Sequence, residues 1–269
     1  MMNHLCLLAG LAGVLVALAT TAGASDTAPP AEQPLIPFAE QYEARAYMPY
    51  RLLKPKDYDP KQSYPLVLFL HGMGERGTDN SRQLINGVSE FFASEEARSK
   101  RPSFAVIPQC PDNDSWANWE PKATGLTRPA RAALHIVAAL QKEFNIDPTR
   151  LYIGGLSMGG FGAWQIITAH PRLFAAAFPI CGGGDPGKAA RLAKMPIWAF
   201  HGAEDDVVNP SLSRDMIQAI KEAGGNPRYT EYPGVGHASW ERAFKEPKLL
   251  EWLFAQRLPS PAASAKRAK

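Results

Sequence analysis

Short uninterrupted apolar runs alternate along the chain with segments in which apolar residues recur every three or four positions. A short apolar run bounded by glycine or proline predicts a strand that is buried on both faces, whereas the three-to-four spacing predicts an amphipathic helix. The predicted strands lie within residues 64–72, 103–111, 150–155, 173–184, 195–202 and 228–234. The predicted helices lie within residues 81–94, 127–147, 157–171, 211–225 and 239–257.

The ends of several predicted helices carry residues that favour a helix boundary. Thr127 can cap the second helix and Pro129 suits its first turn, while Pro171 stops the third helix. Gly224 ends the fourth helix, and Pro247 breaks the last one into two parts.

The alternation of buried strands with helices predicts the α/β class, with a mostly parallel central sheet and helices on both faces. No repeat and no linker interrupts the series, so we expect one domain over residues 45–257. Residues 25–44 predict a flexible leader, and residues 258–269 predict a disordered basic tail.

Residues 1–24 predict a signal peptide. The apolar run from Leu5 to Ala19 is short for a membrane-spanning helix, and Ala22-Gly23-Ala24 fits the small-residue pattern of a cleavage site after Ala24. A retained membrane anchor is the alternative. We expect a secreted or periplasmic protein with no stable membrane anchor after cleavage.

Composition and charge exclude some classes of function. The formal net charge is only +3, and part of it lies in the tail Lys266-Arg267-Ala268-Lys269, so the chain lacks the basic surface that nucleic acid requires. Two cysteines remain after the predicted cleavage, Cys110 and Cys181. An oxidising compartment permits a disulfide between them, but each follows a buried strand, which favours two buried free thiols.

Four glycines surround Ser157 in the segment GGLSMGG, residues 154–160. The segment begins where a predicted strand ends and continues into a predicted helix. A sharp strand-to-helix turn requires small neighbours, because larger side chains would collide with adjacent backbone. Such a turn raises the serine hydroxyl at the carboxyl edge of the sheet, next to the positive end of the helix. Ser157 is therefore predicted to be a nucleophile, with a helix cap and glycines for packing as the alternative.

A nucleophilic serine needs a histidine as general base and a carboxylate that orients the histidine. The loop after the fifth predicted strand supplies Asp205 and Asp206, of which only one can point into the site. His237 follows the last predicted strand in a glycine-rich loop and is predicted to be the base. His71 and His201 each precede a glycine at a strand end, and we expect them to shape loops.

An acyl-transfer site also needs backbone amides that stabilise a developing oxyanion. The amide of Met158, directly after the nucleophile, is one predicted donor. The second is expected in the glycine-rich loop after the first predicted strand, from Met73 or from Gly72. Glu75 and Arg76 in the same loop can brace it, contact substrate or form only a surface ion pair.

These motifs, in this order, resemble the α/β-hydrolase superfamily. The segments LHGMGERGTDN, PQCP, GLSMGGFGAW, FPICGGGD, FHGAEDDVV and GVGHASW look like its branch of secreted esterases and predicted peptidases, which is related to phospholipase/carboxylesterases, dienelactone hydrolases, feruloyl esterases and polyhydroxybutyrate depolymerases. The resemblance covers roughly residues 45–257 and implies Asp205, rather than Asp206, as the acid of a catalytic triad. It also implies cleavage of carboxylic esters through an acyl-enzyme, with no cofactor and no metal.

The expected site is open. Residues 182–194 are too few for the helical cap that many members of this superfamily insert there, so we expect a substrate ester that is bulky or attached to a polymer. Trp116, Trp119 and Trp240 are candidate aromatic walls for an aryl acid or a sugar, with packing of the loops as the alternative. Glu75 is a further candidate for substrate contact. A serine peptidase of the prolyl-oligopeptidase type, a non-catalytic binding protein and an acyltransferase remain the alternative functions.

Overall fold

The computed structural model describes residues 40–44, 48–118 and 125–259 of the chain. In these ranges eight strands form one sheet: β1 Glu40–Ala44, β2 Met48–Leu53, β3 Tyr64–Leu70, β4 Phe104–Pro108, β5 Ile146–Leu156, β6 Ala176–Ile180, β7 Trp198–Gly202 and β8 Arg228–Tyr232. Their order in the sheet is β1-β2-β4-β3-β5-β6-β7-β8. The first two strands are antiparallel to each other, β2 is antiparallel to β4, and all other neighbours are parallel.

The helices of the described ranges lie in the connections between strands, except the last two, which follow β8. They are α1 Val88–Ala93, α2 Glu95–Arg98, α3 Arg128–Glu143, α4 Met158–Ala169, α5 Ser211–Glu222, α6 Trp240–Ala243 and α7 Leu249–Ala255. Thr127 caps α3 by accepting the Ala130 amide at 3.2 Å, as its position predicts.

Two apolar layers cover the two faces of the sheet. Alternate residues of β3 belong to different layers, with Leu66 and Leu68 in one and Val67 and Phe69 in the other. Residues of α3, α4 and α5 pack in the first layer, and residues of α1, α2, α6 and α7 pack in the second. The prediction of a mostly parallel sheet with helices on both faces is confirmed, and each of the six predicted strands is present.

Two predictions for the N-terminal half are wrong. Residues 81–94 do not form one helix, because Asn86 and Gly87 adopt left-handed φ angles of 60° and 78° and separate a 3₁₀ turn, Arg82–Leu84, from α1. The end of the predicted flexible leader, residues 40–44, forms β1, because its backbone pairs with β2. Its sequence, EQYEA, lacks the apolar run that marks a buried strand.

The connection from β6 to β7 carries no large cap. Its residues 181–197 contain one 3₁₀ helix, Pro186–Leu192. The predicted signal peptide, most of the predicted leader and residues 260–269 of the predicted tail lie outside the described residues. Leu258, the first residue of that tail, donates its amide to the carbonyl of Thr149 at 2.9 Å. No helix in the described ranges combines the length and the apolar character needed to cross a bilayer.

The parallel strands bring four loops to one edge of the sheet. These loops follow β3, β5, β7 and β8, and they begin at His71, Ser157, Ala203 and Pro233. Because the carboxyl ends of parallel strands meet at the same edge, residues that are far apart in the sequence become neighbours there.

Candidate active site

Ser157 occupies the turn between β5 and α4, with φ 53° and ψ −118°. This left-handed φ is unfavourable for a residue that has a Cβ, so the turn is strained and must be held by its surroundings. The Ser157 amide lies 3.0 Å from the carbonyl oxygen of Ile180 and 3.3 Å from the sulfur of Cys181. These contacts tie the strained turn to the neighbouring strand β6.

Close approach of the backbone explains the glycines that flank Ser157. A Cβ built on Gly155 would lie 2.3 Å from the carbonyl oxygen of Gly159, and a Cβ built on Gly159 would lie 1.9 Å from that of Leu70. Both distances are far shorter than van der Waals contact, and backbone atoms of a packed core cannot move aside as a side chain can. The glycine pattern therefore reflects the tight packing of α4 against the ends of β3 and β5.

Three side chains from three loops form one hydrogen-bonded chain. Oγ of Ser157 lies 2.9 Å from Nε2 of His237. Nδ1 of His237 lies 2.8 Å from Oδ2 and 3.0 Å from Oδ1 of Asp205. A carboxylate only accepts, so Nδ1 carries a proton, and in the neutral ring Nε2 is left to accept the serine hydroxyl. This is the arrangement that lets an imidazole act as a base toward a serine.

The surroundings of Asp205 hold its carboxylate as an anion. Burial opposes ionisation, but hydrogen bonds from the Val208 amide, from His237 and from the Val207 amide outweigh it and lower the pKa of Asp205 below the ordinary value. The two amides donate to Oδ1 at 2.9 Å and 3.0 Å. Asp206 is exposed. Of the two adjacent carboxylates, the fold therefore brings Asp205 to His237.

Two other histidines are buried in the loops around this chain. His71 donates from Nδ1 to the carbonyl of Gly72 at 2.6 Å and accepts the Cys110 amide at Nε2 at 2.9 Å. Burial lowers the pKa of His71 to about 4, so the ring is neutral at pH 7 and shapes the loop after β3. His201 instead contacts Asp205, with Nε2 3.2 Å from Oδ2. Its place four residues before Asp205, at the end of β7, is the only sequence signal of that contact.

An open cavity of about 450 Å³ borders Ser157 and His237. Gly72, Met73 and Met158, the residues with candidate oxyanion amides, line this cavity. Met73 begins a 3₁₀ turn and Met158 begins α4. Amides at the start of a helix have no acceptor within that helix, so these two are suited to bind an oxygen from outside it.

Glu75 borders the same cavity, although it is buried. Its Oε1 accepts from Nδ2 of Asn86 at 2.9 Å. Burial raises the pKa of Glu75 more than hydrogen bonds from the Gly72 amide and from Asn86 lower it. Arg76, the next residue, donates to the carbonyl of Met73 at 3.1 Å. Both side chains therefore brace the loop after β3, and only Glu75 also faces the cavity.

The three candidate tryptophans have different positions. Trp240 lines the cavity and meets His237 edge to face, with ring centroids 5.4 Å apart. Trp116 is fully buried, and its Nε1 donates to the carbonyl of His71 at 3.0 Å. The prediction of Trp116 as a wall for substrate is wrong, because its ring packs beneath the loop after β3 instead. Trp119 lies outside the described residues.

Exposed apolar side chains surround the mouth of the cavity. Among the described residues, the large hydrophobic side chains that are exposed are Met73, Ile85, Val207 and Leu212. Three of them, Met73, Val207 and Leu212, line the cavity and are termed the apolar rim. Apolar side chains exposed together at a cleft are typical of a surface that binds an apolar group. Sequence reasoning missed the rim, because Met73 follows β3 whereas Val207 and Leu212 follow β7, and only the fold brings these two segments together.

Both cysteines of the described ranges are buried free thiols, as their positions favour. Cys181 lies beside Asp205 and His237, with one donor atom of each within 4.8 Å of the others, the one such group in the part of the chain that the structure describes. Burial raises the pKa of the Cys181 thiol to about 12, so it is protonated at neutral pH. Cysteine binds metals as the thiolate, and Asp205 and His237 are hydrogen bonded to each other, so this cluster is a poor metal site.

Comparison with known proteins identifies the family. Residues 58–249 match the phospholipase/carboxylesterase family. The chain belongs to this family. It is therefore an enzyme of the carboxylesterase type, and the resemblance drawn from its motifs is confirmed.

Solved structures and curated relatives agree with this assignment. The crystal structure of a thermostable esterase is 44% identical, with a TM-score of 0.75; the match covers 78% of this chain and 59% of that one. A probable carboxylesterase of Oryza sativa subsp. japonica is 25% identical over 195 residues, which cover 65% of this chain and 81% of the relative. A probable feruloyl esterase C of Aspergillus flavus is 25% identical over 201 residues, which cover 73% of this chain and 70% of the relative. The α/β-hydrolase fold is confirmed.

Proposed function

We propose that this protein hydrolyses carboxylic esters, with Ser157 as nucleophile, His237 as general base and Asp205 as the residue that orients His237. One observation carries the proposal: Oγ of Ser157 lies 2.9 Å from Nε2 of His237 at the edge of an open cavity. The strained turn at Ser157 and the anionic state of Asp205 support the same roles.

The reaction follows from these roles. Oγ of Ser157 attacks the carbonyl carbon of the ester while Nε2 of His237 takes the hydroxyl proton. The tetrahedral intermediate collapses as Nε2 returns that proton to the alcohol oxygen, and the C–O bond to the alcohol breaks. Water then attacks the acyl carbon while Nε2 of His237 takes a proton from it; the bond between the acyl carbon and Oγ of Ser157 breaks, Nε2 returns the proton to Oγ, and the carboxylic acid leaves. Asp205 stays ionised and keeps the proton of His237 on Nδ1.

The amides of Met158 and Met73 are the proposed donors to the oxyanion. Both residues border the cavity, and both amides belong to the first position of a helical segment. Charge that develops on the carbonyl oxygen during attack is stabilised by such donors without reorganisation of solvent.

The proposed substrate is an ester with a bulky apolar acyl group or an ester attached to a polymer. The absence of a cap in the β6–β7 connection and the apolar rim support this class. Trp240 and Glu75, which line the same cavity, are further proposed contacts to the substrate. The feruloyl esterase among the relatives makes ferulate esters a natural test compound.

We further propose that the protein is secreted after removal of residues 1–24. The support is the apolar run from Leu5 to Ala19 and the small residues before Ser25. N-terminal sequencing of the protein made from its full-length gene should give Ser25 as the first residue. A protein that keeps Met1 in the membrane fraction would contradict secretion.

The hydrolysis of a p-nitrophenyl ester series, from acetate to long acyl groups and ferulate, tests the activity. Ser157→Ala should lower kcat/KM by roughly 10⁴-fold or more, since it removes the nucleophile. Equal rates for wild type and Ser157→Ala across all esters would reject the proposal. Faster cleavage of proline amides than of esters would instead identify a serine peptidase.

A further inference from the structure

His201 and His237 contact the same carboxylate, that of Asp205. Nε2 of His201 lies 3.2 Å from Oδ2 of Asp205, and Nδ1 of His237 lies 2.8 Å from that same oxygen. His201 is fully buried at the end of β7, whereas His237 reaches the cavity. Oδ2 is therefore shared between two imidazoles, while Oδ1 receives the amides of Val207 and Val208.

The neighbours of His201 determine which of its nitrogens carries the proton. Nε2 faces acceptors only, so Nε2 carries the proton: its N–H is hydrogen bonded to the carbonyl of Val208 at 3.0 Å, and Oδ2 of Asp205 lies 3.2 Å from the same nitrogen. Burial lowers the pKa of His201 and keeps the ring neutral. Nδ1 is then an acceptor and lies 2.8 Å from Oγ of Ser213, whose hydroxyl is also 2.8 Å from the carbonyl of Gly182. The single hydroxyl proton of Ser213 can be donated either to Nδ1 of His201 or to the carbonyl of Gly182.

We infer that His201 is a positioning residue for the proposed reaction: its Nε2–H, anchored on the carbonyl of Val208, also faces Oδ2 of Asp205, keeps that oxygen in the orientation that His237 requires and limits its basicity. The kinetic consequence rests on the proposed function, whereas the contacts of Asp205 with His201 and His237 do not depend on the substrate. Without a second donor, Oδ2 of Asp205 would attract the proton on His237 more strongly and would be free to rotate about the Cβ–Cγ bond.

Two titratable groups close to this pair keep their charge around neutral pH. Cys181 faces Asp205 from the end of β6, and burial raises the pKa of its thiol to about 12. Glu231 is the register partner of His201 on β8, and Arg214 lowers the pKa of Glu231 to about 2. Glu75 lines the cavity beside His237 and burial raises its pKa, but Glu75 is the same in the wild type and in every variant of His201, so a difference between their pH profiles reports on the loss of His201.

Two substitutions of His201 separate positioning from packing. His201→Gln can place an amide N–H near the position of Nε2, whereas the shorter His201→Asn cannot reach Asp205. We expect His201→Asn to lower kcat for p-nitrophenyl acetate by roughly 10- to 100-fold with little change in KM, and His201→Gln to recover most of that loss. The acidic limb of kcat/KM should move to higher pH in His201→Asn, because proton binding to the base becomes more favourable.

A double-mutant cycle tests whether His201 acts through Asp205. In the Asp205→Asn background, His201→Asn should lower kcat for p-nitrophenyl acetate by less than about twofold, because the carboxylate that His201 contacts is already absent. Additive losses, an unmoved acidic limb or equal losses for His201→Gln and His201→Asn would overturn the inference. His201→Met, which fills the space without a donor, replaces His201→Asn if that variant folds poorly in thermal denaturation.

A measurement without turnover separates this inference from the proposed function. The Nδ1 proton of His237 is held by Asp205 and is observable by proton NMR in the full-length protein at low temperature. Its resonance should move in His201→Asn and stay near the wild-type position in His201→Gln. If esters are not cleaved but this pattern appears, the proposed function fails and the positioning role stands. If Ser157-dependent cleavage is found and the resonance is the same in all variants, only the positioning role fails.

Discussion

Nδ1 of His237 lies 2.8 Å from Oδ2 of Asp205, while Asp206, the next residue, is exposed to solvent. The two carboxylates therefore form a matched pair for mutagenesis. Asp205→Asn should lower kcat/KM by roughly 10³- to 10⁴-fold, because the amide no longer fixes the tautomer of His237. Asp206→Asn should change it by less than about twofold, as expected for an exposed side chain. A large loss in Asp206→Asn would mean that the wrong carboxylate has been assigned.

Gly159 is predicted to be essential for the fold of the turn at Ser157. A Cβ at this position would lie 1.9 Å from the carbonyl oxygen of Leu70, so Gly159→Ala must displace backbone at the end of β3. We expect the free energy of unfolding to fall by about 3 kcal/mol or more, measured by urea denaturation. Gly74→Ala is the control, because no atom lies within 4 Å of its added Cβ. Similar stabilities of the two variants would show that the turn relaxes at little cost.

The apolar rim is predicted to set the preference for acyl length. Each methylene that leaves water on binding favours the substrate by roughly fourfold, the equivalent of about 0.8 kcal/mol. In a Val207→Ser, Leu212→Ser double variant we expect the ratio of kcat/KM for octanoate to that for acetate to fall by about tenfold, with the acetate value nearly unchanged.

Ile85→Ser is the matched control for this prediction. Ile85 is 38% exposed and Leu212 is 37% exposed, but Ile85 does not line the cavity. The control should leave the chain-length profile as in the wild type. A profile that is unchanged in the rim variant, or that changes equally in Ile85→Ser, would remove the rim from the substrate-binding surface.

Glu231 makes the stability of the protein depend on pH in the acid range. Hydrogen bonds from Arg214, at 2.7 Å and 2.8 Å, lower the pKa of Glu231 from 4.5 to about 2. Because the pKa is lower in the folded state, the unfolded chain binds more protons between these values. The contribution is therefore present above about pH 4.5 and is lost as the pH falls toward 2.

Thermal unfolding of Glu231→Gln between pH 2 and pH 7 measures this contribution. We expect a loss of about 0.5–1 kcal/mol at pH 7, since the pair is partly exposed, and a shallower decline of stability on acidification. Glu251→Gln, which changes an exposed carboxylate on α7, should keep the wild-type slope. Parallel pH curves for Glu231→Gln and the wild type would contradict the assignment.

Much of the fold and of the candidate site could be predicted from local patterns. Five of the six predicted strands are marked by apolar runs of a few residues, and the glycines around Ser157 mark a tight turn within one short segment. The strand β1 could not be predicted in this way, because an edge strand with polar residues is defined by its pairing with β2 and not by its own composition. Residues 86–87 likewise interrupt a helical pattern through backbone angles that periodicity does not report.

The sequence by itself determined the α/β class, the family and a short set of chemical groups at the ends of strands, because strand periodicity and motif spacing are encoded over a few neighbouring residues. On chemical grounds it left Asp205 and Asp206 equivalent, and it left Trp116 open between a wall for substrate and packing of the loops. The tertiary structure places Asp205 against His237, as the resemblance implied, and it alone decided that His201 also contacts Asp205 and that Trp116 is buried under the loop after β3. These relationships join residues from different strands and loops, so they depend on the register of the sheet and on the packing of its connections, which no local segment specifies.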